Sequence, residues 1–224
     1  MAKEISPDER YVQIGAAPGL KLDADLAIPR QSTGLVAFAH GSGSNRHSPR
    51  NRFVAQTMHQ FRLATLLVSL LTVEEEAEDL IKGNLRFDID LLGRRLTAVV
   101  DWLSTQPETA SLKLGLFGSS TGAAGALLAA ANRSEAVAAV VSRGGRPDMA
   151  MSVLDRVKAP TLLIVGGDDF PVIDMNRRAF SAIRSEKDLV IVPGATHLFE
   201  EPGAMEKVAG LARDWFVKYL PPQK

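Results

Sequence analysis

The 224-residue chain is 46% apolar and 23% charged, with 26 basic residues balanced by 26 acidic ones. That balance leaves no global field for nucleic acid or an acidic membrane surface, and the lack of cysteine excludes disulfides, thiolate metal sites and a cysteine nucleophile. No run reaches the ~18 apolar residues of a membrane span, and the polar stretch Met1–Arg10 lacks the apolar centre of a signal peptide, so a cytoplasmic protein is expected.

Two alternating segments, Tyr11–Gly15 and Leu20–Ile28, flank Pro18-Gly19 and read as an antiparallel hairpin closed by Pro29. After Gly34 short apolar runs alternate with helical ones. The runs are Leu35–Ala39, Ala64–Leu70, Leu112–Phe117, Ala136–Val141, Thr161–Val165 and Leu189–Val192. Their weak alternation fits strands covered on both faces. Phe87–Leu103 sets Leu92, Leu96, Val99 and Leu103 on one helical stripe, with Arg94, Arg95 and Asp101 expected outside it. Ala123–Ala131 suits a buried helix, and Met205–Tyr219 carries Val208, Leu211, Trp215 and Phe216 at core spacing. The segment between Val141 and Thr161 has room for one helix and none for a lid domain. The expected fold class is α/β: one domain over residues 1–224, with a mostly parallel sheet, helices on both faces and the hairpin at its start.

Gly118-Ser119-Ser120-Thr121-Gly122 joins a strand to the Ala-rich helix. A Gly-x-Ser-x-Gly in that setting is a nucleophile elbow, a turn so tight that only glycine fits beside the central serine. Ser120 is the candidate nucleophile, and Ser119, off the centre, the weaker one. A serine hydroxyl needs an imidazole to take its proton. Of His40, His47, His59 and His197, only His197 follows Ser120, as the chain order Ser, Asp/Glu, His requires. Gly166-Gly167-Asp168-Asp169, after Thr161–Val165, offers two carboxylates to orient that imidazole. In His40-Gly41-Ser42-Gly43-Ser44, small residues free backbone N–H groups, so Ser42 and Thr121 are the expected oxyanion donors, with His40 supporting the loop.

Arg46-His47-Ser48-Pro49-Arg50-Asn51-Arg52 and Ser142-Arg143-Gly144-Gly145-Arg146 are basic loops expected at the same sheet edge. Arg143, Arg146, Arg46 and His47 are therefore candidates to bind a carboxylate or phosphate on a substrate. The plainer expectation is that these arginines pair with the acidic run Glu74-Glu75-Glu76 and Glu78-Asp79.

From about Gly34 to its end the chain resembles the dienelactone hydrolase family of the α/β-hydrolase superfamily. The resemblance rests on His40-Gly41-Ser42-Gly43, Gly118-Ser119-Ser120-Thr121-Gly122, Gly166-Gly167-Asp168-Asp169 and Gly194-Ala195-Thr196-His197. It implies an α/β-hydrolase fold and, because the family places its acid last in Gly-x-x-Asp, favours Asp169 over Asp168. The family's namesakes use a cysteine where this chain has Ser120, which shifts the expected activity from dienelactone cleavage to a general carboxylic ester hydrolase. Neither cofactor nor metal is expected, and the expected partner is a small-molecule ester rather than nucleic acid or membrane. Other acyl chemistry on the same residues and a non-catalytic ligand-binding module are the alternatives.

Overall fold

The computed structural model describes residues 7–222; the first six residues of the polar stretch Met1–Arg10 lie outside them. Strands β1 (Asp8–Ala17) and β2 (Leu20–Ile28) form the antiparallel hairpin, and β2 pairs antiparallel with β4 (Leu63–Val68). The other pairings are parallel, among β3 (Gly34–Ala39), β4, β5 (Lys113–Ser119), β6 (Val137–Arg143), β7 (Thr161–Gly166) and β8 (Lys187–Val192). The order across the eight-stranded sheet is β1-β2-β4-β3-β5-β6-β7-β8. This is the α/β-hydrolase architecture.

All residues of β3, β4 and β7 are buried, which explains their unbroken apolar runs. Helices α1 (Pro49–His59) and α6 (Ala204–Tyr219) pack together on one face. There Val54, Met58, Val208 and Phe216 close over Phe38 and Phe117. The other face carries α3 (Ile89–Thr105) and α4 (Thr121–Asn132), packed on each other over Leu35, Leu116 and Val140. Helix α4 is Ala-rich because it lies this deep: all seven residues from Ala123 to Ala130 other than Leu128 are buried and leave no exposed side.

Three helices were not anticipated: α1, α2 (Val73–Lys82) and α5 (Phe170–Ala182). Each nonetheless has a start signal. Ser48 caps α1 before Pro49, Thr72 and Glu75 form a reciprocal capping box on α2, and α5 begins Phe170-Pro171. The one helix expected between Val141 and Thr161 is instead a 3₁₀ segment, Pro147–Arg156, interrupted at Ala150 by non-helical dihedrals. Arg95, expected outside the stripe of α3, is only 5% exposed. Its guanidinium donates to the Leu70 carbonyl at 2.6 Å and to both oxygens of Glu75, and these charged hydrogen bonds offset its desolvation.

Candidate active site

Strand β5 delivers the chain into the elbow, and α4 departs from it at once. Ser120 between them has φ 51° and ψ −124°, a conformation sparsely populated by any residue with a Cβ. Neighbouring segments enforce it: the Ser120 N–H donates to the Arg143 carbonyl at 3.2 Å, and its own carbonyl accepts from Arg146 and Ala123. The two glycines are sterically required. A Cβ on Gly118 would lie 2.4 Å from the Ala123 Cα, and one on Gly122 2.3 Å from the His40 carbonyl oxygen. Ser119 also borders the cavity but is buried, and its hydroxyl donates to the Ala39 carbonyl at 3.4 Å.

His197 stands on the loop after β8, and Asp169 at the entry to α5. The His197 Nδ1–H donates to Asp169 Oδ2 at 2.7 Å. A carboxylate can only accept, so in the neutral imidazole Nε2 is the unprotonated ring nitrogen. Asp168 is exposed and tied only through its backbone, its N–H donating to the Ala195 carbonyl. Ser120 and His197 line one cavity of about 150 Å³, together with Ser42, Ser48, Arg50 and Arg143. No hydrogen bond joins their side chains.

The loop after β3 separates this cavity from a second one of about 120 Å³, lined by Leu71, Leu80, Leu92 and Thr121. Gly41, Ser42 and Ser44 border both. Thr121 is the first residue of α4, so the helix leaves its N–H unpartnered. His40 fixes the loop from below: its Nδ1–H donates to the Gly41 carbonyl at 2.9 Å, and its Nε2 accepts from the Leu70 N–H at 2.8 Å. Burial pushes the His40 imidazole below its ordinary value, which keeps it neutral as this double role demands.

The expected pairing of the basic loops with the acidic run is not what forms. Asp79 and Glu75 are taken by Arg86 and Arg95, residues of the same layer of helices. Arg46 instead reaches back to Asp25 and Asp23 on β2, Arg146 forks onto Asp148, and His47 rests against Arg52. These three candidates are thereby held away from the cavity, and Arg143 alone of the four lines it. The cavity also takes Arg50, which lay in the basic stretch but was not singled out. The Ser48-Pro49 helix start would have placed it in the first turn of α1, facing the sheet edge.

Arg143 is 6% exposed, and its guanidinium has no hydrogen-bond or carboxylate partner among the described residues. Its nearest support is the Phe199 ring, 5.9 Å from Cζ. Burial first, and the Arg50 charge second, push the Arg143 guanidinium down to about 10, so it remains cationic at neutral pH.

Among the described residues no group of acidic residues and histidines is arranged to hold a metal, and no helix is long and apolar enough to cross a membrane. The crystal structure of a dienelactone hydrolase from Anabaena variabilis is 57% identical, with a TM-score of 0.94 over 96% of this chain and 99% of that one. Est1E from Butyrivibrio proteoclasticus shares the fold at a TM-score of 0.79 and 16% identity, covering 93% of this chain and 98% of its own. Two Mycobacterium tuberculosis proteins, from strains CDC 1551 and H37Rv, carry a provisional phosphoribosyl transferase name and are 54% identical over 95% of this chain. The chain spans 47% of their length. The family profile of the dienelactone hydrolases matches residues 72–218, which carry the elbow, the Asp169–His197 pair and the buried Arg143; with that match and that relative, the chain belongs to the dienelactone hydrolase family.

Proposed function

We propose that the protein is a serine hydrolase that cleaves carboxylic esters through an acyl-enzyme on Ser120. The observation that carries this reading is the convergence of a strained, cavity-facing Ser120 and an Asp169-oriented His197 on one cavity. Ser120 Oγ attacks the ester carbonyl carbon while its proton passes to His197 Nε2. The Ser42 and Thr121 N–H groups bind the oxyanion. The C–O bond to the alcohol breaks as His197 returns the proton to that oxygen. Water, deprotonated by His197, then attacks the acyl carbon and releases the acid and Ser120. Asp169 keeps Nδ1 protonated and stabilises the imidazolium. None of these steps calls for a metal or cofactor.

The test is hydrolysis of a short-chain p-nitrophenyl ester by the wild type and by Ser120→Ala. The variant is expected to lose roughly 10⁶-fold in kcat, and equal rates would refute the assignment. We read the transferase name of the mycobacterial relatives as describing the half of those proteins that this chain does not match. The matched half aligns with 95% of this chain at 54% identity.

A further inference from the structure

Arg143 presents a physical problem that the ester mechanism does not solve. Taking a guanidinium out of water costs several kcal/mol unless a counter-charge is supplied. Its immediate neighbour makes matters worse, because Arg50, the other arginine on the cavity wall, is a like charge. Among the described residues no aspartate or glutamate lines that cavity. Arg50 does donate from Nη1 to Glu200 at 2.8 Å, but Glu200 is 63% exposed and on the solvent side, while Arg50 Nε is buried without a partner.

The remaining wall is rich in donors. Ser42, Ser44 and Ser48 border the cavity. The Ser48 oxygen accepts the Asn51 N–H as the cap of α1, so its own hydroxyl proton is still to be placed. Ser48 and Arg50 also bring the positive end of the 11-residue α1 to the cavity.

We propose that Arg143 and Arg50 form a phosphate subsite within the cleft, and that the substrate is a carboxylic ester carrying a phosphate monoester. Arg143, which has no partner among the described residues, the buried Nε that Arg50 leaves free of Glu200, and the Ser48 hydroxyl offer more donors than the two oxygens of a carboxylate accept side by side, and the three terminal oxygens of a phosphate monoester take them together. The substrate class rests on the ester-hydrolase reading above; the anion subsite stands on the cavity alone. The mostly apolar cavity across Ser42, where Leu71, Leu80 and Leu92 stand beside Glu76 and the Asp79–Arg86 pair, remains for the rest of the molecule.

Calorimetric titration of the wild-type protein with phenyl phosphate, benzoate and benzamide tests the subsite without turnover. Phenyl phosphate is expected to bind at least about tenfold tighter than benzoate, with benzamide silent, and Arg50→Gln and Arg143→Gln are each expected to weaken it at least about tenfold. Arg50 is partly exposed, so its variant stays informative if Arg143→Gln does not fold. Benzoate binding as tightly as phenyl phosphate would overturn the phosphate assignment, and unchanged binding in the variants would overturn the subsite. For the substrate class, the kcat/KM ratio of p-nitrophenyl 3-phosphonopropanoate to p-nitrophenyl butyrate is expected to exceed one and to fall at least about tenfold in Arg50→Gln. Phenyl phosphate binding without hydrolysis of either ester would remove the ester reading and leave the subsite; hydrolysis of both without phosphate binding would do the reverse.

Discussion

An imidazole accepts a proton usefully only if one ring nitrogen is free and pointed at the nucleophile, and at His197 that condition depends on a single carboxylate. Asp169 Oδ2 holds Nδ1–H at 2.7 Å, whereas its neighbour Asp168 is exposed and engages only its backbone. Asp169→Asn is therefore expected to favour the wrong tautomer and lower kcat by about 10⁴-fold. Asp168→Asn should change it by less than about threefold, within the range of a surface substitution. Ester kinetics on the two variants separate them, and equal losses would contradict the role given to Asp169. Local reading of Gly166-Gly167-Asp168-Asp169 leaves the two acids equivalent, since either satisfies a turn. The difference arises because the loop after β8 meets Asp168 only at its backbone, through the Ala195 carbonyl, and brings the His197 ring to the Asp169 side chain.

At the scale of elements, the loop beside Ser120 is tied to a helix that makes no direct contribution to the cavity wall with Ser120 and His197. The capping box of α2 presents Glu75 to Arg95, Arg95 donates to the Leu70 carbonyl, and the Leu70 N–H donates to His40, which holds Gly41. Thr72→Ala removes the cap hydroxyl and is expected to cost about 1 kcal/mol in a urea titration. Arg95→Leu strands the half-buried Glu75 and should cost more, roughly 2 kcal/mol. A loss at Thr72 with none at Arg95 would show that the chain of contacts carries no load beyond the cap. The capping box was readable as Thr72-x-x-Glu75, but the destination of Arg95 was not. By periodicity it belongs to the outer face of α3, and only the approach of α2 and the end of β4 supplies the acceptors that let it be buried.

Over the whole molecule, the buried His40 and the half-buried His59 couple stability to pH. Burial lowers both His40 and His59 relative to their ordinary value of 6.5. The unfolded chain therefore binds protons that the folded one refuses, so the stabilisation is complete above about pH 6.5 and is lost as the pH falls toward the folded-state values. As the pH falls below about 6.5 the unfolding free energy should drop, by at most roughly 1.4 kcal/mol per pH unit for the buried His40 and by less for the half-buried His59, whose charge water still screens. His40→Asn is expected to remove the larger part of that slope in urea titrations, and an unchanged slope would show that His40 does not supply it. The eight strands, the elbow around Ser120 and the hairpin were legible in the sequence because each is specified by contiguous residues: apolar runs, turn glycines and the sterics of neighbouring positions. The charge pairing was not. Arg46 turns to β2, Arg86 and Arg95 take the acidic run, and Arg143 meets Arg50, 93 positions away, in a cavity without an acid. A long charged side chain finds its partner among whatever segments the fold brings within reach, and burial then sets what that partner is worth. For that reason the chain order of the candidate site belongs to the sequence, and the identity of the arginines that face the cleft belongs to the tertiary structure.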